Sequence, residues 1–269
     1  MCFKIHIVYL FITLIFAEII GDPNLFNKNC NVLRLKFEVN DGDRVYDSSE
    51  QRNEVFLKDG AGLTDKGIIS GKAVNLGNDG KIYVGSKFKG KPRKSVAISL
   101  WVKLENEQGN HSLFRATDLN NVVHYQLLSR DGKVSWIHHG DDGKELFRVQ
   151  SDRPVLKARK WQHIVGVYNY QSSKASLWLD GRKLKEKNAI QGHLAQKWSL
   201  LSVFGGRTKG LMDNIQLFRC PLDRTKVVAL YVATASPKED KKSLVEKPHK
   251  TPLKQKKSKI RLSEKLKIF

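Results

Sequence analysis

Asp213 stands in the middle of an apolar run, Gly210-Leu211-Met212-Asp213-Asn214-Ile215-Gln216-Leu217-Phe218. A charge on a buried strand has to be paired, metal-bound or satisfied by backbone N–H donors, and the residue alone leaves those options open. A second concentration of reactive groups is Trp136-Ile137-His138-His139-Gly140-Asp141-Asp142. An aromatic ring can stack on a sugar and imidazole with carboxylate can hold a metal, so Trp136, His138 and His139 are read as a ligand site, with a solvated hairpin tip as the alternative. Asp41, Asp43 and Asp47 gather carboxylates but lack the distal Glu of an EF-hand, and read as a loop. Asn110-His111-Ser112 is an N-glycosylation sequon, with Asn110 the acceptor in an exposed loop.

The motifs of common catalytic machinery are missing. A glycoside hydrolase needs two carboxylates about 5–10 Å apart across a groove, and no E-x-D-x-x-E-like run occurs in the sequence. A Ser-His-Asp elbow, an HExxH helix and a phosphate-cradling Gly loop are equally absent from the sequence. The chain is therefore expected to bind and not to catalyse.

Charge points to the kind of partner. With 48 Lys+Arg against 27 Asp+Glu, the formal net charge is +21, which attracts polyanions at long range. Two segments concentrate it. Lys87, Lys89, Lys91, Arg93 and Lys94 form a basic run beside Phe88, and residues 236–269 carry Lys254, Lys256, Lys257, Lys259 and Arg261 among Pro237, Pro248 and Pro252. The second segment is too polar to offset the entropy of ordering and reads as a disordered basic tail.

Residues 1–21 read as a signal peptide, because Lys4 precedes an apolar run from Ile5 to Ile20 that Glu18 and Asp22 bring to a close. Export would exclude a nucleic-acid partner. Removing that segment takes Cys2 and leaves Cys30 and Cys220, which permit one intramolecular bridge in an oxidising compartment, free or intermolecular thiols being the alternative.

The elements that position these groups are strands. Asp-Gly turns at Asp41, Asp59, Asp79, Asp131, Asp142 and Asp180 are hairpin signals. Leu33, Leu35, Phe37 and Val39 alternate with polar residues, as do Ile98, Leu100, Val102 and Leu104, so each set is assigned one face of a strand. Only Leu222–Tyr231 has helical spacing. The expected fold is all-β, a two-sheet antiparallel sandwich spanning residues 22–235 with a short C-terminal helix.

Several strands together resemble a known family. Gly71-Lys72-Ala73-Val74-Asn75-Leu76, Val96 to Val102, and above all Trp161-Gln162-His163-Ile164-Val165-Gly166-Val167-Tyr168 followed by Ala175 to Arg182 are similar to the laminin-G-like, concanavalin-A-like jelly-roll domains. Gly210 to Phe218 resembles the closing strand of that family. The resemblance implies a jelly roll whose first and last strands are neighbours, which would bring Cys30 to Cys220. It also implies a structural calcium near Asp213, for which Glu38 on the first strand is the second ligand, both being hard oxygen donors.

Function is expected to be that of a secreted, extracellular module recognising a glycan, a sulphated polysaccharide or an acidic matrix protein. The alternative is a structural component of an extracellular or mineralised matrix with no discrete ligand.

Overall fold

The computed structural model describes residues 28–68, 71–85, 87–198 and 202–235. The expected signal peptide and the basic tail, with Lys254, Lys256, Lys257, Lys259 and Arg261, lie outside the described residues. A 3-10 turn, Lys28–Cys30, leads into β1 (Asn31–Asp41), β2 (Arg44–Asp47), β3 (Glu54–Lys58), β4 (Gly62–Thr64), β5 (Ala73–Asn75) and β6 (Lys81–Val84). Then follow β7 (Val96–Leu104), β8 (Asn110–Thr117), β9 (Val123–Arg130), β10 (Lys133–His139), β11 (Glu145–Gln150) and β12 (Gln162–Asn169). The chain ends its sheets with β13 (Lys174–Leu179), β14 (Arg182–Asn188), β15 (Ser202–Gly205) and β16 (Gly210–Phe218), and the helix α1 spans Arg224–Ala235.

Antiparallel pairing runs in the order β11-β10-β9-β8-β15-β6-β3-β2-β1-β16-β7-β12-β13-β14, with β4 and β5 attached beside β16. That path folds over on itself into two sheets, a jelly-roll sandwich. The corner lies in β1. Its first half pairs with β16 (Leu35↔Ile215), its end pairs with β2 (Asn40↔Val45), and between them the register shifts around Phe37, whose φ is 60°. Strands that change sheets do so at such irregularities. The shift also turns Val39 outward, 63% exposed, while Leu33, Leu35 and Phe37 stay buried. The strict alternation expected through Val39 therefore stops at Phe37.

Four of the Asp-Gly pairs close hairpins between adjacent paired strands, β1–β2, β9–β10, β10–β11 and β13–β14. At Asp180-Gly181 both residues have positive φ, 48° and 74°, as a tight turn matching strand twist requires.

Alternation sorts the residues into two apolar layers. Ile98, Leu100 and Val102 of β7, Ile164 and Tyr168 of β12, and Leu127 and Trp136 of β9 and β10 fill the space between the sheets. Ala97, Val165, Val167, Trp178 and Phe218 point the other way and are covered by Val227 and Leu230 of α1. Asp223 starts this helix by accepting the Lys226 N–H at 2.9 Å, the usual role of an N-cap carboxylate. Beneath α1, Trp101 Nε1 donates to Thr234 Oγ1 at 2.8 Å, and Ser99 Oγ lies 2.7 Å from His163 Nε2.

Cys30 and Cys220 form a disulfide with their Cα atoms 5.6 Å apart. The pairing of β1 with β16, extended by the Arg219 N–H donating to Cys30 O, brings them together across 190 residues of sequence.

Candidate functional site

The outward face of the sheet built from β3, β6, β15, β8 and β9 holds a groove of about 790 Å³. Alternation places its side chains: Lys81 and Tyr83 on β6, Arg115 on β8, and Gln126, Leu128 and Arg130 on β9 all point away from the core. Arg207 joins from the turn after β15. Gly205 and Gly206 allow that turn, since both have positive φ and a Cβ on Gly205 would come within 2.7 Å of Gly80 O. Thr208 Oγ1 then ties the turn to β8 by donating to Ser112 O at 2.8 Å.

The groove is cationic. Lys58, Lys81, Arg115, Arg130 and Arg207 line it, against Asp59 as the single acid. Lys81 sits 2.6 Å from Asp59 and holds its carboxyl below the usual carboxylate range, mainly through that hydrogen bond. Among the described residues Arg115 and Arg207 form no ion pair. Lys58 Nζ lies 4.7 Å from the centre of the Tyr83 ring, a cation–π contact. Three of the lining residues, His111, Thr117 and Ser129, carry buried polar atoms (Nδ1, Oγ1 and Oγ) without a hydrogen-bond partner. Ser129 alternates with the outward Leu128 and Arg130 and pairs with His111 across β8–β9, so these two side chains face the core and not the groove.

A smaller cavity of about 470 Å³ lies on the opposite sheet between β13–β14 and the start of α1. Its Lys174 and Lys183 are both committed to Glu186, at 3.4 and 2.7 Å, and Lys183 also covers the buried Trp178 ring. Its Arg182 and Arg224, like Arg115 and Arg207 in the groove, form no ion pair among the described residues.

A sequence profile of the concanavalin A-like lectin/glucanases superfamily matches residues 76–228, more than half of the chain. The chain belongs to this superfamily. Among solved structures it is similar to the botulinum neurotoxin serotype D ligand binding domain in complex with N-acetylneuraminic acid, with 17% identity and a TM-score of 0.61 over 76% of this chain and 51% of that one. It is likewise similar to the binding domain of Paraclostridial Mosquitocidal Protein 1, at 17% identity and a TM-score of 0.60 over 76% and 52%. The chain thus spans about half the length of these structures, and at such identity the likeness is one of fold. A comparison with curated proteins finds no match.

Within this concanavalin A-like frame the residues singled out from sequence separate. Trp136 and His138 are fully buried, so the expectation that they meet a ligand at a hairpin tip is corrected. Trp136 packs with Tyr125 and Phe147, and His138 Nε2 accepts the Ala195 N–H at 3.1 Å. Burial drives the His138 pKa down to about 3, leaving a neutral imidazole. His139 is half-buried on the other face, its Nε2 3.8 Å from Glu145.

Asp213 is buried at a bulge in β16. Its Oδ2 accepts the Ile68 N–H at 2.9 Å and its Oδ1 accepts the Asn214 N–H. Glu38 is exposed beyond the corner of β1. The two carboxylates thus differ in burial, and no group of three His, Cys, Asp or Glu able to hold a metal forms among the described residues.

The basic run is dispersed. Lys87, Lys89, Arg93 and Lys94 are exposed, with Lys94 Nζ 5.4 Å from the Tyr170 ring centre. Lys91 donates to Gln196 O at 2.9 Å and rests 5.4 Å from the Trp198 ring centre, where burial lowers its pKa. Asn110 is exposed at the start of β8, a strand where a loop was expected, and lines the groove.

Proposed function

We propose that this chain is a secreted, non-catalytic module that binds an extracellular glycan bearing carboxylate or sulphate groups, with the groove as its contact surface. The observation that carries the reading is the cluster of cations around Tyr83, with Arg115 and Arg207 free of ion pairs among the described residues. Guanidinium groups match carboxylates and sulphates in a two-pronged geometry, and an aromatic ring offers a sugar an apolar face. The botulinum neurotoxin serotype D ligand binding domain, about half of which this chain matches, is in complex with N-acetylneuraminic acid, a carboxylated sugar, and this supports an acidic glycan here.

The single acid in the groove supports the non-catalytic part, because glycosidic hydrolysis needs two carboxylates and Asp59 is tied to Lys81. The Cys30–Cys220 bridge supports export, since such bonds persist in oxidising compartments. Lys87 to Lys94 and the segment from Lys254 to Arg261 add longer-range attraction to sulphated polysaccharide.

The test is binding of the whole secreted chain to sialylated and sulphated glycans across a salt series. Arg115→Glu and Arg130→Glu should each weaken binding about tenfold or more, roughly 1.4 kcal/mol, and binding should fall as salt rises. Binding that survives both reversals and disappears with residues 236–269 removed assigns the activity to the tail and rejects the groove. An arm in EDTA tests the calcium implied by the family resemblance.

A further inference from the structure

We infer that an N-linked glycan on Asn110 lies at the wall of the cationic groove and restricts entry to it, so that the chain's own glycosylation sets how well it binds. The inference rests on the groove being the binding surface. Asn110 belongs to the one N-x-S/T sequon of the sequence, and β8 places it among the groove-lining residues. Across the β8–β9 pair its register partner is Arg130. Arg130 Nε donates to Asn110 Oδ1 at 2.9 Å, so the acceptor amide is held by one of the cations proposed to take the ligand. The other amide atom, Nδ2, which carries the sugar in an N-glycan, makes no hydrogen bond among the described residues, and Asn110 is exposed.

The neighbouring residues fix when the sugar must arrive. His111 is buried, with its Nε2 hydrogen-bonded to Gln108 O at 3.0 Å, and Ser112 is half-buried with its carbonyl engaged by Thr208. In the finished strand the sequon is held flat against the sheet. The oligosaccharide therefore has to be attached before β8 pairs, as the chain is exported, and the sandwich then folds with the sugar anchored at the groove. Acidic termini on that sugar would be drawn to Arg115 and Arg207, making the glycan a tethered competitor at high local concentration.

The experiment uses the full chain secreted from cells that install only high-mannose glycans. Intact mass and peptide mapping first establish occupancy of Asn110. The glycan is then trimmed enzymatically to a single N-acetylglucosamine, which leaves every amino acid unchanged, and affinity for heparin and for a sialylated oligosaccharide is measured before and after. The expected result is a gain of roughly three- to tenfold in affinity on trimming, up to one decade in Kd. A second preparation with sialylated glycans should gain more, and part of its gain should come with sialidase alone. An unmodified Asn110 overturns the inference, as does an affinity unchanged by trimming. Arg115→Glu in the trimmed protein separates the two readings. If it abolishes binding while trimming has no effect, the groove stands and the gate falls, whereas if it has no effect the groove itself is wrong.

Discussion

His163 Nε2 and Ser99 Oγ stand 2.7 Å apart beneath α1, and burial pushes the His163 pKa down to about 3. His138, in the core between the sheets, is driven to about 3 as well. In the unfolded chain a histidine titrates near 6.5, so below that pH the unfolded state takes up protons that the folded state refuses. The stability these residues contribute is whole above about pH 6.5 and drains away as pH falls toward 3. Urea unfolding should show each histidine costing up to about 1.4 kcal/mol per pH unit in that window, and His163→Phe should flatten the slope. A midpoint that does not move between pH 7 and 4.5 contradicts this account.

Asp47 should be far more sensitive than its place in an acidic loop suggests. Its carboxylate accepts the backbone N–H groups of Arg34, Ser49 and Asn53 as well as Ser49 Oγ and Asn53 Nδ2, all between 2.8 and 3.1 Å. Asp47→Ala strands these donors, at a cost of about 3 kcal/mol or more. Asp43→Ala, at an exposed site, is the comparison, and equal unfolding midpoints for the two would refute the prediction.

Gly166 lies on β12 against the Trp136 ring, where a Cβ would come within 2.9 Å. Gly166→Ala should therefore destabilise by about 1–3 kcal/mol through overpacking and alter the near-ultraviolet circular dichroism of the buried tryptophan. A neutral substitution would show that the two sheets separate more easily than their packing implies.

Replacing Cys30 and Cys220 by Ser together should lower stability by roughly 2–5 kcal/mol, the usual range for a native bridge closing a long loop. Thermal unfolding with and without reductant reads this directly. Reductant should shift the parent protein and leave the double variant unmoved.

The sandwich was legible because burial imposes a period of two on its strands: Ile98, Leu100 and Val102 face inward while Ser99 and Trp101 face α1. The same rule assigns Trp136 inward with Val134 and His138, and the nearby Gly140-Asp141-Asp142 turn misled because it suggested a solvated tip. Val39 escaped because a positive φ at Phe37 is a property of the backbone and leaves no mark on composition. The groove could not be read at all. Lys58, Tyr83, Arg115, Arg130 and Arg207 come from separate strands and turns, and each looks like an ordinary solvated position until the sheet brings them together. Lysines and arginines close together in sequence drew attention instead, although one of them, Lys91, is partly buried against Trp198.

The bond between Cys30 and Cys220 also settles how the domain would carry mechanical load. The covalent link joins the chain just before β1 to the chain just after β16. Tension applied through the backbone at Lys28 and Ala235 would cross from one sulfur to the other and reach only α1, by-passing every strand in between. Pulled from its ends, the oxidised domain would give up its helix and keep its groove, while the reduced one would unzip from β1 inward.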